Sequence, residues 1–211
     1  MDAALREVRT AGGAERRRWV WRTSDVLLLR HYRPSVARRQ TAARLALFDG
    51  LLEDFEQRVQ PLLAAASEGV VHNDLNDHNT LQTDARISGV IDLGDVCLER
   101  HCFSLGNTLY YMMLTLPVRD SCFFLLSFLI SPLQLEQVLA AARAVVVGYQ
   151  RRNPLPPGEL ALAWAGAKLR CLTSATMSGA TQELHPDDPY VGETERPGWA
   201  LLDHISGVPA L

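Results

Sequence analysis

The sequence predicts an α+β chain, mainly helical, with one short β-hairpin insert placed well inside it. Apolar residues recur at helical spacing between Arg38 and Ala66 and in several segments beyond Asp95. Between these regions the texture changes to short β-branched runs and a dense polar loop. The 211 residues, 47% hydrophobic and 21% charged, are enough to bury a sizeable core. No internal repeat and no low-complexity tract divides the chain.

In chain order, residues 1–37 read as a basic, irregular N-terminal arm, with Gly12–Gly13, an arginine cluster and the apolar run Val26–Leu29 closed by Pro34. Residues 38–211 read as the folded lobe. Leu45, Phe48, Leu52, Phe55, Val59 and Leu62–Leu63 predict a helix over 38–66, with Pro61 starting a separate turn. Gly69–His72 reads as a strand, Asn73–Asn79 as a loop, and Thr80–Gln82 with Ile87–Ile91 as a hairpin. Helices are then expected at Phe103–Leu116, Cys122–Ile130, Leu133–Arg151 and Glu159–Gly179, and a last one after Pro197, which suits a first helical turn.

Composition excludes several classes. Residues 1–44 hold 11 arginines against four acidic residues, whereas the remainder holds 10 basic against 20 acidic ones. An acidic body argues against a nucleic-acid protein, and the basic arm is expected to pair with that body or to be solvated. No apolar run reaches the roughly 18 residues of a membrane span. Asp2, Glu7 and Glu15 are out of place in a mitochondrial presequence, so a cytoplasmic location is expected. Cys97, Cys102, Cys122 and Cys171 lack metal-type spacing and read as buried free thiols.

The chemistry is expected in Val71-His72-Asn73-Asp74-Leu75-Asn76-Asp77-His78-Asn79, followed 13 residues after Asn79 by Asp92 in Ile91-Asp92-Leu93-Gly94-Asp95. Phosphoryl transfer to a hydroxyl needs a carboxylate to take or orient the proton, hard oxygen ligands for Mg²⁺, and a rigid loop that aligns them. Asp74 fits the base, Asn79 and Asp92 fit the metal ligands, and His72 fits a brace for the loop. Two other readings stay open: a solvated acidic loop, and a hydrolytic metal site built from His72, Asp74, His78 and Asp92, in which Asn79 has no task.

The same stretch resembles the catalytic loop of the aminoglycoside phosphotransferase-like kinases, and more closely that of the hydroxylysine kinase family. The family pattern His-Gly-Asp-Leu-Asn-Asp-x-Asn stands here as His72 to Asn79, and Ile-Ser-Gly-Val-Ile-Asp-Phe-Gly-Asp as Ile87 to Asp95. Asn73 replaces the usual Gly, and Leu93 replaces Phe. Likeness continues through Tyr110-Tyr111-Met112-Met113, Gly148-Tyr149, and Pro189-Tyr190 to Gly198-Trp199. The resemblance implies a protein-kinase-like C-terminal lobe that phosphorylates the hydroxyl of 5-hydroxylysine, with GTP or ATP as donor and Mg²⁺ as cofactor. In that family's pattern Asp74 matches the catalytic Asp, with Asn79 and Asp92 as metal ligands. Asp77, Asp95 and Glu99 would form an acidic mouth attracting a substrate amine.

An N-terminal β-lobe with a donor-binding lysine is expected to be missing. The sole lysine, Lys168, lies far downstream, and Gly12–Gly13 is too little for a phosphate loop. Arg22 or Arg30 could supply the charge, although their spacing does not single them out. The chain therefore reads as part of a longer kinase, as a complete but catalytically weak lobe that still binds metal and substrate, or as half of a site that a partner chain completes; the alternatives in function are a non-catalytic binding lobe and a kinase for another amino alcohol or an aminoglycoside.

Overall fold

The computed structural model describes residues 18–84, 86–119, 132–188 and 190–209. Residues 18–37 correct the expectation of an irregular arm. Thr23–Tyr32 form a 3-10 helix and Arg33–Arg39 form α1. Thr23, Val26 and Leu29 are buried, a spacing of three that matches three residues per turn and escapes a search for a 3.6-residue period. The arginines of this region pair with the acidic body: Arg30 with Glu56, Arg33 with Asp49, Arg39 with Glu195.

The helix expected over 38–66 is broken into pieces. α2, Ala42–Asp54, starts at Thr41, whose hydroxyl accepts the Arg44 N–H at 3.3 Å. The chain then widens into a π turn at Phe55–Val59 and tightens into a 3-10 turn at Gln60–Leu62. Pro61 has no N–H to give to the helical ladder, so the regular helix cannot continue through it.

Two small antiparallel sheets follow. β1 (Glu68–Val71) pairs with β4 (Cys97–Arg100), from Glu68 opposite Arg100 to Val71 opposite Cys97. β2 (Thr80–Thr83) pairs with β3 (Arg86–Val90) as the expected hairpin. The β1–β4 ladder closes the base of the insert, so the polar loop and the hairpin project from it as one unit.

The remaining helices are α3 (His101–Arg119), α4 (Pro132–Gln150), α5 (Pro157–Leu184) and α6 (Glu195–Ile205). The helix expected at Cys122–Ile130 lies outside the described residues. α5 is the central element: along its 28 residues buried side chains point in every direction. It meets α3 closely at Gly106 and Gly166. A Cβ on Gly106 would stand 2.6 Å from the Ala163 carbonyl oxygen, and one on Gly166 would stand 2.7 Å from the Phe103 ring. Phe48, Phe55, Phe103, Leu109, Leu172 and Trp199 form the apolar interior between these helices. Cys97, Cys102 and Cys171 are free thiols, and burial pushes Cys97 and Cys102 up to about 12. Among the described residues, no helix is long and apolar enough to cross a membrane.

Candidate active site

β1 delivers His72 into the interior directly after Val71, and the ring is buried. Its Nδ1 accepts the Asp74 N–H at 3.3 Å, so Nε2 carries the proton and donates to the Ile91 carbonyl at 2.9 Å. The Ile91 N–H donates in turn to the Asn79 carbonyl at 3.0 Å. Ile91 is thus held from both sides where the chain leaves the hairpin for Asp92.

The loop between them is built from its own side chains. Asn73 takes up a left-handed backbone, φ 64°, which short amides tolerate and other non-glycine residues resist. Its side chain donates to the Trp21 carbonyl at 3.2 Å and accepts from the buried Asn107 amide at 3.1 Å. Asn76 accepts the Asn79 N–H at 2.9 Å, closing a tight turn.

Asp74 is half-buried at the centre of this loop, and both of its oxygens are engaged. Oδ2 accepts from the Asn76 amide at 3.1 Å and the Asn79 amide at 3.0 Å. Oδ1 accepts from the Tyr111 hydroxyl at 2.5 Å and from Arg170 Nη2 at 2.8 Å. Arg170 is only 1% exposed. Its Nη1 donates to the Trp21 carbonyl at 2.9 Å, and its guanidinium lies 4.8 Å from the Trp21 ring and 5.5 Å from the Tyr111 ring. Burial, partly offset by Arg170, pushes the Tyr111 hydroxyl up to about 12, so it remains a donor to Asp74 at physiological pH.

Asn79 turns its amide nitrogen toward Asp74, also reaching the Asp74 carbonyl at 2.8 Å, which leaves its Oδ1 as an acceptor for another partner. Asp92 is exposed, with φ 57°, and its Oδ1 accepts the Gly94 N–H at 3.3 Å. Among the described residues no group of three or more His, Cys, Asp or Glu side chains could hold a metal ion. Asn79 Oδ1 and the Asp92 carboxylate are each oxygens of the type Mg²⁺ takes, an ion that often has only one or two protein carboxylates and completes its shell with phosphate oxygens and water.

The acidic mouth is smaller than expected. Asp77 is exposed on the loop, as is His78, and Asp95 is half-buried. The Asp95 carboxyl is raised, first by burial and then by the nearby charges of Asp74 and Asp92, with Arg170 acting against them. Asp74, Asp92 and Asp95 therefore share one electrostatic neighbourhood. Glu99 does not belong to it. It is fully buried in β4 and accepts the N–H groups of Ser24 at 2.9 Å and Arg100 at 2.8 Å, so it anchors the 3-10 helix instead of facing a substrate.

Neither arginine considered as a stand-in for the donor lysine faces the loop. Arg22 donates to the Leu98 carbonyl at 3.0 Å and to Asp25 at 3.3 Å, and Arg30 pairs with Glu56. The charges acting on Lys168 are those of Asp54 and Arg58.

Arg170, Tyr111, Trp21 and Asn107 escaped sequence reasoning as site residues. The available signal was Arg170 itself, a charge within the apolar helical run Leu169-Arg170-Cys171-Leu172.

A mainly helical lobe with this loop and strand end defines a kinase-like phosphotransferase. The sequence profile of the phosphotransferase enzyme family matches residues 3–155, and the chain belongs to that family. It is similar to hydroxylysine kinase of Xenopus laevis, 26% identical over 202 residues that cover 90% of this chain and 48% of that protein. It is 30% identical to hydroxylysine kinase of Danio rerio over 108 residues, 49% of this chain and 30% of the relative. Against hydroxylysine kinase of Bos taurus the identity is 22% over 200 residues, 90% and 47%. The chain spans about half the length of the curated relatives it matches over most of its own length. No solved structure matches it.

Proposed function

We propose that this lobe carries the base and metal ligands for moving the terminal phosphoryl group of GTP or ATP to the hydroxyl of 5-hydroxylysine or a closely related amino alcohol. The observation behind this reading is that Asn79 touches both ends of the motif: its amide donates to Asp74 at 3.0 Å, and its carbonyl accepts the N–H of Ile91, the residue before Asp92, at 3.0 Å.

In this reading Asp74 accepts the proton of the acceptor hydroxyl, and what supports it is Oδ2, held only by neutral amides and so the oxygen an incoming hydroxyl can share. Asn79 Oδ1 and Asp92 would hold Mg²⁺, which when bound neutralises charge on the donor phosphates. His72 keeps both halves of the site in register through Asp74 and Ile91. Asp77 and Asp95 add negative potential at the mouth, which favours a cationic amine.

The rival reading is a lobe that binds Mg²⁺–nucleotide or amine without turnover, favoured by the position of Lys168 away from the loop. Product formation from 5-hydroxylysine, followed by mass spectrometry with Mg²⁺–GTP and Mg²⁺–ATP, separates the two. Asp92→Asn is the cleaner control: Asp92 is exposed, and asparagine accepts its left-handed backbone. Its product should fall at least about a hundredfold, the scale of losing one electrostatic stabiliser, with unchanged thermal stability. Unimpaired transfer in Asp92→Asn removes Asp92 from the metal site. Absence of transfer in the parent chain with hydroxylysine, other amino alcohols and aminoglycosides rejects the enzymatic reading.

A further inference from the structure

We propose that Arg170 and Tyr111 act together as positioning residues that lock the Asp74 carboxylate so that Oδ2 is presented to the acceptor hydroxyl; this rests on the reading of Asp74 as the base. The two oxygens of Asp74 are held unequally. Oδ1 receives an arginine at 2.8 Å and a phenol at 2.5 Å, while Oδ2 receives two neutral amides at 3.1 and 3.0 Å. Hydrogen bonds from charged donors are shorter and about twice as strong as neutral ones. The carboxylate is pinned through Oδ1, which leaves Oδ2 as the oxygen whose partners an incoming hydroxyl can displace.

Arg170 can serve as a fixed reference because it does not depend on Asp74 for its own place. It rides on the central helix α5, lies against two rings, and is tied through Nη1 to the Trp21 carbonyl. Tyr111 accepts a hydrogen bond from Arg170 Nη2 at 2.8 Å and donates its own O–H to Asp74, so one donor group braces the other. Packing alone gives no reason for a guanidinium here. Burying a charge is costly, an apolar side chain would fill the same space, and Nε remains buried without a hydrogen-bond partner. Lysine is no substitute, since a single ammonium cannot span Asp74, Tyr111 and Trp21 with a planar fork.

The test is the steady-state kinetics of Tyr111→Phe and Arg170→Lys with 5-hydroxylysine and Mg²⁺–GTP, beside Asp92→Asn and thermal melts. Tyr111→Phe keeps the ring packing and deletes one hydrogen bond to a charged group, so kcat should fall by about tenfold to a hundredfold. KM for donor and acceptor should stay within about twofold, because the lost interaction aligns the base and binds neither substrate. Arg170→Lys should lose at least as much, and the double variant little more than the worse single one, as for residues acting as a unit. If both variants melt earlier yet keep the parent kcat per folded molecule, Arg170 and Tyr111 are structural and the inference falls, while the loss in Asp92→Asn leaves the kinase reading standing. If the parent chain transfers no phosphoryl group to any acceptor, the reading and this inference fall together.

Discussion

Asn73 offers the sharpest test of how the loop is held, because two separable effects meet in one side chain. It is 2% exposed, its φ is 64°, and it bonds to the Trp21 carbonyl and the Asn107 amide. Asn73→Ala deletes both side-chain bonds at about 1 kcal/mol each, since Trp21 and Asn107 each keep a second partner, Arg170 and the Asn73 carbonyl. Alanine in the left-handed region adds roughly 1–2 kcal/mol of strain, for a total of about 3–4 kcal/mol. Asn73→Gly loses the same bonds without the strain, but its unfolded chain is freer by roughly 0.5–1 kcal/mol, so the total is about 2.5–3 kcal/mol. Glycine, the residue usual at this position in the kinases that the loop resembles, should therefore be the better replacement by roughly 0.5–1 kcal/mol. Urea unfolding of the three chains with a shared m-value measures this. If alanine proves as stable as glycine, the backbone argument fails. If both variants stay within about 0.5 kcal/mol of the parent, the hydrogen-bond argument fails as well.

Gly106→Ala should cost about 3 kcal/mol, the upper end of overpacking, because the new Cβ meets α5 backbone at 2.6 and 2.8 Å. Gly148→Ala at an exposed position of α4, with nothing within 4 Å, should instead gain roughly 0.5–1 kcal/mol; matched melts decide, and a tolerated Gly106→Ala would contradict the α3–α5 contact. Glu99 carries the pH prediction. Its folded-state pKa is raised, chiefly by burial, so the folded chain holds that proton more tightly than the unfolded chain, whose value is near 4.5. Its contribution is greatest below 4.5 and is lost as pH rises through the folded value. The stability difference between the parent and Glu99→Gln should therefore shift against the parent as pH rises from 4.5 to neutrality, and a constant or opposite trend would refute it.

What the sequence reveals here is local. The spacing from His72 to Asn79, the hairpin after it and the helices beyond Asp95 all rest on contacts within a few residues or on one helical period. The 3-10 helix at Thr23–Tyr32 was missed because its apolar period is three. Strand β4 was missed because Cys97-Leu98-Glu99-Arg100 shows no apolar alternation, its inner position being held by an acid. That acid looks like a surface residue until Ser24, 75 positions earlier, is seen to satisfy it.

Glu99 and Arg170 share a logic that sequence pattern cannot express. A buried charge needs a partner, and in a compact chain that partner is free to come from anywhere. Arg170 lies 96 positions from Asp74 and 149 from the Trp21 carbonyl. Both contacts come from α5, which approaches α3 closely at Gly106 and Gly166 and carries Arg170 to 2.8 Å from the Tyr111 hydroxyl of α3. The polar loop therefore supplies the Asp74 carboxylate, while Arg170, from the apolar core, takes one of its oxygens. A charge set inside an apolar helical run is the one trace of that arrangement in the sequence, and it marks which residue to ask about without saying what it holds.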